Sequence, residues 1–397
     1  MRPHVFLVAG EESGDRLGAA LIAAIRERTQ GNVRFSGVGG VHMATESVSS
    51  IFPLGDLAII GFAAIVTSLP KILQRIREAA DAVIAAAPDV LVIIDSPEFT
   101  HRVARRVRAR APDIPIVDYV CPSVWAWRPG RARAMRGYID HVLALLPFEP
   151  KVMGELGGPP CSYVGHPLVE RVGELRPNGL ELRLRMAGPP LLLVMPGSRG
   201  GEIRRMAPVF GEAVARIAER FEDIEVVVPA VDRLARAVRS ATASWRVPTR
   251  VVSDAGEKHE AFRSARAALT KSGTSTLELA VAGVPMVAAY KVSLFEELAA
   301  RLLINVPSAI LANLVLGENV VPELLQRDCT AERLVALLLP LLADTPERRR
   351  QIEAFARLDA IMEIGSAKPS DRAAKLVLDC VSARGQPVRE AKESTPA

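Results

Sequence analysis

Cysteine is scarce in this 397-residue chain, and the four present, Cys121, Cys161, Cys329 and Cys380, lie far apart without paired spacing. That pattern excludes a disulfide framework and a cysteine-based zinc site, and it suits a reducing cytoplasm. Aromatic residues make up only 5%, too few for an aromatic-rich β sandwich. No chargeless run reaches the roughly 20 residues a spanning helix needs. The longest, LAIIGFAAIVTSLP at 57–70, is too short to cross a membrane, though it could lie on one. The N-terminal apolar run HVFLVAG meets charge too early for a signal-peptide core and reads as a first buried strand. No clusters are spaced for metal ligation, and neither a metal nor another cofactor is expected.

Nucleic acid is disfavoured as a partner. The formal charge is +5, much of it in HRVARRVRAR (101–110) and RPGRARAMR (128–136), which hold five and four arginines without an acid. Aromatics are not interleaved there, apart from Trp125, Trp127 and Tyr138 beside the second run. A solvated helix face, anionic lipid and a phosphorylated substrate each remain compatible with such clusters.

What is abundant is aliphatic: 49% of residues are apolar, and strand-length runs alternate with helical patterns. HVFLVAG, DVLVIID, IPIVDYV and HVLALL form a first series; LLLVMPG, IEVVVPA, TRVVS, AALTKSG and VPMVAAY form a second. Repeated βα units imply parallel sheets covered on both faces, hence an α/β fold of two Rossmann-like domains facing a cleft. The expected organisation is a first domain over 1–170, a linker rich in Pro, Gly and charge over 171–190, and a second domain over 191–350. C-terminal helices over 351–380 are expected to cross back to the first domain, followed by a disordered tail over 381–397.

Four strand-to-helix turns carry the candidate chemistry. In MPGSRGGEI, glycines 197, 200 and 201 admit close backbone approach to an anion at Gly197 and Ser198, and Arg199 offers a planar fork for phosphate. In TKSGTSTLELAVAGVP, Ser272, Gly273 and Thr274 open a helix with free amides, and Glu278 sits one turn deeper, placed to accept from ribose hydroxyls. Two such turns in one domain suggest a nucleotide diphosphate. VAGEESGDRLG instead carries Glu11, Glu12, Ser13 and Asp15, whose charge would repel pyrophosphate, so this loop is expected to contact hydroxyls or amides of an acceptor. In DVLVIIDSPEF, Asp95 ends an apolar strand and could deprotonate an attacking hydroxyl, with Glu98 as the competing base. The segment around Trp125, Trp127, Arg128 and Arg131 suits an amphiphilic phosphosugar.

Taken in order, AGEESGDRLGAALI, IIDSPEF, YVCPSVWAWRPGRARAMRGYIDHVLALLPFEP, YVGHPL, MPGSRGGEI, KSGTSTLELAVAGVPMVAAYKV and NLVLGENVVPELLQ resemble the lipid-A-disaccharide synthase family over about residues 5–345. The resemblance implies a glycosyltransferase B (GT-B) fold. It also implies an inverting transfer that joins UDP-2,3-diacylglucosamine to 2,3-diacylglucosamine 1-phosphate, giving a β-1,6 disaccharide and UDP. Asp95 would then act on the acceptor 6-hydroxyl, Arg199 would stabilise the departing diphosphate, and Asn313 would join Ser272, Gly273, Thr274 and Glu278 at the donor site. A peripheral position at the inner face of the inner membrane follows from the acylated substrates, and family members are often homodimers. Two other readings stay open on the residues alone: a UDP-GlcNAc enzyme of the same fold, such as a 2-epimerase or a peptidoglycan-type transferase, and a non-catalytic membrane-surface module.

Overall fold

The computed structural model describes residues 2–57, 62–292 and 308–384, with 62–68 and 383–384 described by their backbone alone. The surface character of the 57–70 segment and most of the expected tail therefore lie outside the described residues. The chain divides into two compact units, Met1–Pro167 with Ala367–Ala397, and Leu168–Ser366.

The first unit contains β1 (His4–Ala9), β2 (Arg34–Val38), β3 (Val90–Ile94), β4 (Ile116–Tyr119), β5 (His141–Ala144) and β6 (Cys161–Tyr163). They form one parallel sheet in the order β2-β1-β3-β4-β5-β6. Every residue of β1 and β3 is buried, as parallel strands with both faces covered require. One face packs Phe6, Val8, Leu91 and Ile93 against helices that supply Ile76, Val83, Val103 and Val107. The other packs Val5, Leu7, Val92 and Ile94 against Leu21, Ile22 and Ile25 of the helix Glu12–Arg28. Each such aliphatic side chain contributes roughly 1.5–3 kcal/mol on leaving water.

The chain does cross back, later than expected. Pro346–Ala356 and Leu358–Ile361 remain in the second unit, and the helix Pro369–Arg384 joins the first. Its Ala373, Ala374 and Val377 are fully buried in the core beside Glu12–Arg28, where small side chains let two helices approach closely.

The second unit contains β7 (Leu191–Met195), β8 (Glu225–Pro229), β9 (Thr249–Val252), β10 (Ala267–Lys271), β11 (Met286–Tyr290) and β12 (Glu323–Leu325), in the parallel order β12-β11-β10-β7-β8-β9. Residues 171–190, expected as a linker, are part of this unit. Asn178 and Glu181 form a reciprocal cap on the helix Gly179–Ala187. From that helix the buried Arg185 donates to the carbonyls of Phe262, Arg263 and Gly283 at 3.0, 2.9 and 3.1 Å. A segment poor in strand-forming residues is thus held by guanidinium-to-backbone bonds, which strand and linker composition do not reveal.

Both sheets reverse their winding beside their first strand. In the first, β2 lies on one side of β1 and β3 on the other; in the second, β8 and β10 flank β7 in the same way. Loops after the strands at such a switch point diverge and leave room for a ligand at their carboxyl ends. The turns after β1 and β3, and those after β7 and β10, are the four motifs singled out above.

Candidate active site

Asp95 follows β3 directly, and it and Ser96 both adopt left-handed backbone conformations, with φ of 55° and 47°. Two consecutive non-glycine residues in this region cost roughly 1–3 kcal/mol each, so surrounding bonds must hold them. The Asp95 amide donates to the Tyr119 carbonyl (3.1 Å), and the Thr100 hydroxyl donates to the Asp95 carbonyl (2.6 Å). The carboxylate is oriented from two sides: Oδ1 accepts from the Ser96 amide at 2.8 Å and Oδ2 from the Ser13 hydroxyl at 2.7 Å. Gly10 lets the β1 loop approach this elbow, since a Cβ there would sit 2.2 Å from Ser96 Cβ. The structure therefore brings the expected Ser13 to Asp95.

The other acids of that loop have different tasks. Glu12 is exposed and pairs with Arg16 at 2.6 Å. Asp15, expected to face an acceptor, is instead buried, and its oxygens accept from the amides of Gly40, His42 and Met43 at 2.6, 2.9 and 3.0 Å. It caps the short helix Val41–Thr45 and has no orientation toward solvent.

Glu98 opens the helix Pro97–Arg110 and is exposed. Partial burial would raise its pKa, but the hydrogen bond from Arg131 (3.0 Å) and the charges of Arg131, Arg102 and Arg128 outweigh that and hold it below the usual carboxylate range. A carboxylate held in this way is a weak proton acceptor. Trp125 donates its Nε1–H to buried Glu149 at 3.3 Å and meets Phe148 edge-on, so only part of its face is open. Trp127 carries the Arg128 guanidinium 4.2 Å above its ring.

In the second unit, Gly197 has φ of 134°, and a Cβ on it would stand 2.6 Å from both Cβ and Oε2 of Glu202. The reason is a carboxylate already seated in the turn. Glu202, from the first turn of the helix Gly200–Ala218, is buried; its Oε2 accepts from the Ser198 amide at 3.0 Å and its Oε1 lies 3.2 Å from Lys271 Nζ. The Ser198 amide, expected to face a ligand phosphate, is thus used internally. Arg199 stands 3.6 Å from Glu202 with its side chain 80% exposed, available to an incoming anion. The amides that begin Gly200–Ala218 have no carbonyl a turn earlier to bond and carry the positive end of the helix dipole.

Lys271 ends β10, packs 4.6 Å over the Tyr290 ring and so lies beside both turns. Sequence reasoning passed over it and Glu202; the available signal was a lone charge closing the buried strand AALTK. Gly273 is left-handed (φ 153°) and precedes the helix Ser275–Val281, and Thr274 is exposed. Ser272 is buried with its hydroxyl proton committed to the Ala309 carbonyl at 3.0 Å. Burial raises the Glu278 carboxyl, with Arg171 and Lys258 acting against it.

Asn313 does not join this site as a ligand group. Its Nδ2 donates to Ser308 Oγ and the Val321 carbonyl (3.3 and 3.0 Å), and its Oδ1 accepts from the amides of Val320 and Val321 (3.1 and 2.9 Å). All four hydrogen-bonding positions of the buried amide are used to hold its own loop. Among the described residues, no group of three or more His, Cys, Asp or Glu side chains is arranged to hold a metal ion, and no helix is long and apolar enough to cross a membrane.

Two open parallel sheets, each with paired loop motifs at its switch point, define the GT-B class of fold. Solved structures bear out that fold: the Staphylococcus aureus MnaA–UDP co-structure superposes with a TM-score of 0.61 at 12% identity, covering 96% of this chain and 98% of its own. Acinetobacter baumannii MurG gives 0.55 at 14% identity, with 95% and 99% coverage. Within that class the chain belongs to the lipid-A-disaccharide synthetase family, whose profile matches residues 5–377. A lipid-A-disaccharide synthase of Nitrobacter hamburgensis is 59% identical over 384 residues, 97% of each chain. The chain is accordingly a glycosyltransferase.

Proposed function

We propose that the enzyme transfers 2,3-diacylglucosamine from UDP to the 6-hydroxyl of 2,3-diacylglucosamine 1-phosphate, forming the β-1,6 disaccharide 1-phosphate and UDP with inversion. The observation that carries this reading is Asp95, held on a strained elbow with its carboxylate aimed by the Ser96 amide and the Ser13 hydroxyl. In the proposed step Asp95 takes the proton of the 6-hydroxyl as that oxygen bonds to the donor anomeric carbon. The bond between that carbon and the UDP oxygen breaks, and its electron pair leaves on the diphosphate. Arg199 and the amides opening Gly200–Ala218 receive the developing charge, while Lys271 and Glu202 brace the turn. Glu278 accepts from the donor's ribose hydroxyls. Because both substrates carry acyl chains, the reaction takes place at a membrane surface, with the protein bound peripherally on its cytoplasmic face.

The test is Asp95→Asn. UDP release should fall about 10²–10⁴-fold, the usual worth of a general base, while UDP affinity stays at the wild-type value. Wild-type turnover in this variant would remove Asp95 from the mechanism.

A further inference from the structure

We propose that a cavity beside the elbow, at the amino end of Pro97–Arg110, is a phosphate-monoester site. It has a volume of about 570 Å³ and is lined by Arg102, Arg105, Arg128 and Arg131, with Glu98 as its one carboxylate. Four guanidinia facing a single acid leave an uncompensated positive charge that a dianion offsets and a carboxylate only partly does. Glu98 is where such a ligand would compete: it accepts from Arg131 at 3.0 Å and lies 3.7 Å from Arg102.

The arginines are backed by a buried polar chain that the proposed mechanism does not otherwise use. Arg105 Nη2 donates to the Tyr138 hydroxyl at 3.2 Å, with its guanidinium 4.6 Å above the same ring. The Tyr138 hydroxyl and His101 Nδ1 are 3.1 Å apart, and His101 Nε2 lies 3.1 Å from the Asp118 carboxylate. His101 and Asp118 are both almost wholly buried. Two of these contacts are hydrogen bonds, satisfied when the tyrosine proton goes to Nδ1 and the phenolic oxygen accepts from Arg105, while Asp118 Oδ2 stands at ion-pair distance from Nε2 without a hydrogen bond of its own. A surface arginine needs no such support, whereas a guanidinium fixed before its ligand arrives loses less freedom on binding. Tyr138 and His101 are positioning residues for Arg105.

The location names the ligand. Pro97 and Glu98 line the cavity and come two and three residues after Asp95, within about 7 and 11 Å along an extended chain. A sugar whose hydroxyl reaches Asp95 can place a phosphate from the far side of its ring among the arginines. This assignment to the acceptor 1-phosphate rests on the function proposed above. A phosphate site as such does not, and the same chemistry could serve a monoester headgroup in the bilayer.

The experiment uses the full chain and measures dissociation constants for four probes. They are the acceptor lipid in micelles, its dephosphorylated counterpart, inorganic phosphate, and phosphatidylcholine vesicles with or without phosphatidic acid. Arg105→Gln with Arg128→Gln should weaken the phosphorylated lipid roughly 100-fold, about tenfold for each charge-assisted hydrogen bond removed, and leave its dephosphorylated counterpart unchanged. Tyr138→Phe, which keeps the ring and removes the hydroxyl, should weaken it about tenfold. Glu98→Gln should act in the opposite direction and tighten it, which a purely structural role would not produce. If only vesicle binding responds to the arginine variants, the phosphate site stands and its source is a bilayer headgroup. If phosphate binding responds while the wild type transfers no sugar, the site stands and the proposed function fails. Unchanged affinity of the arginine double variant for every phosphorylated probe overturns the proposal.

Discussion

Alanine at position 10 would place a methyl carbon 2.2 Å from Ser96 Cβ and 2.8 Å from its Oγ. Non-bonded carbons rest about 3.5–4.0 Å apart, so the β1 loop and the elbow must separate by more than ~1 Å. That movement draws the Ser13 hydroxyl from the Asp95 carboxylate, a bond of 2.7 Å with no slack for it. A displacement of ~1 Å at a reacting group costs on the order of 100-fold in rate, and overpacking of this kind costs ~1–3 kcal/mol in stability. Gly10→Ala is therefore expected to lower the initial rate of UDP release about 100-fold and to lower the melting temperature. The collision has a specific remedy. With Ser96→Gly added, the nearest remaining atom of the elbow is the Cα of residue 96 at 3.6 Å, an ordinary van der Waals distance, and glycine adopts the left-handed conformation there without strain. The double variant should regain most of both losses. Wild-type rate and melting in Gly10→Ala, or failure of Ser96→Gly to rescue it, would show that close approach at this point does not position Asp95.

Lys271→Met leaves the buried Glu202 carboxylate without its ammonium partner, and the melting temperature should fall by the equivalent of up to ~3 kcal/mol. Adding Glu202→Gln should recover most of that loss, because neither charge is then left alone; a single variant that melts like wild type would refute the bracing role. Glu149 is buried, and desolvation pushes its carboxyl up to about 7 against bonds from Leu146 and Trp125. Its folded state thus retains a proton that the unfolded chain has released, and stability from this group is present below about pH 4.5 and lost as pH rises to about 7, at ~1.4 kcal/mol per unit. Glu149→Gln should gain stability over wild type progressively between about pH 4.5 and 7 in chemical denaturation and level off above that, and a gap independent of pH would contradict the assignment.

Much of the fold was legible in local pattern. The buried runs HVFLVA, VLVII, LLLVM and AALTK become the central strands of the two sheets, because continuous aliphatic sequence between helical stretches can be buried on both faces only in a parallel sheet. The loops that follow those strands were equally plain as the places for chemistry, since glycine, serine and acid residues at strand ends are wasteful unless something close must be accommodated. What local pattern did not determine was which polar groups stay available to a ligand. Asp15, Ser272 and Asn313 have the residue types of a binding site, yet Asp15 and Ser272 are committed to backbone groups of another segment and Asn313 to its own loop.

The division between Asp95 and Glu98 has the same origin. Three residues apart in the sequence, they are separated by tertiary contacts: Ser13 reaches Asp95 from the loop after β1, while Arg131 reaches Glu98 from 33 positions along the chain. Lys271 and Glu202 meet because β10 and β7 are adjacent in the sheet, an adjacency set by strand order. The βα alternation, the family and the positions of the four turns can be read from the residues alone, because these depend on short-range periodicity and motif. Which hydrogen bonds are already satisfied and which charges face one another emerges with the folded chain, because those depend on distances between segments remote in the sequence.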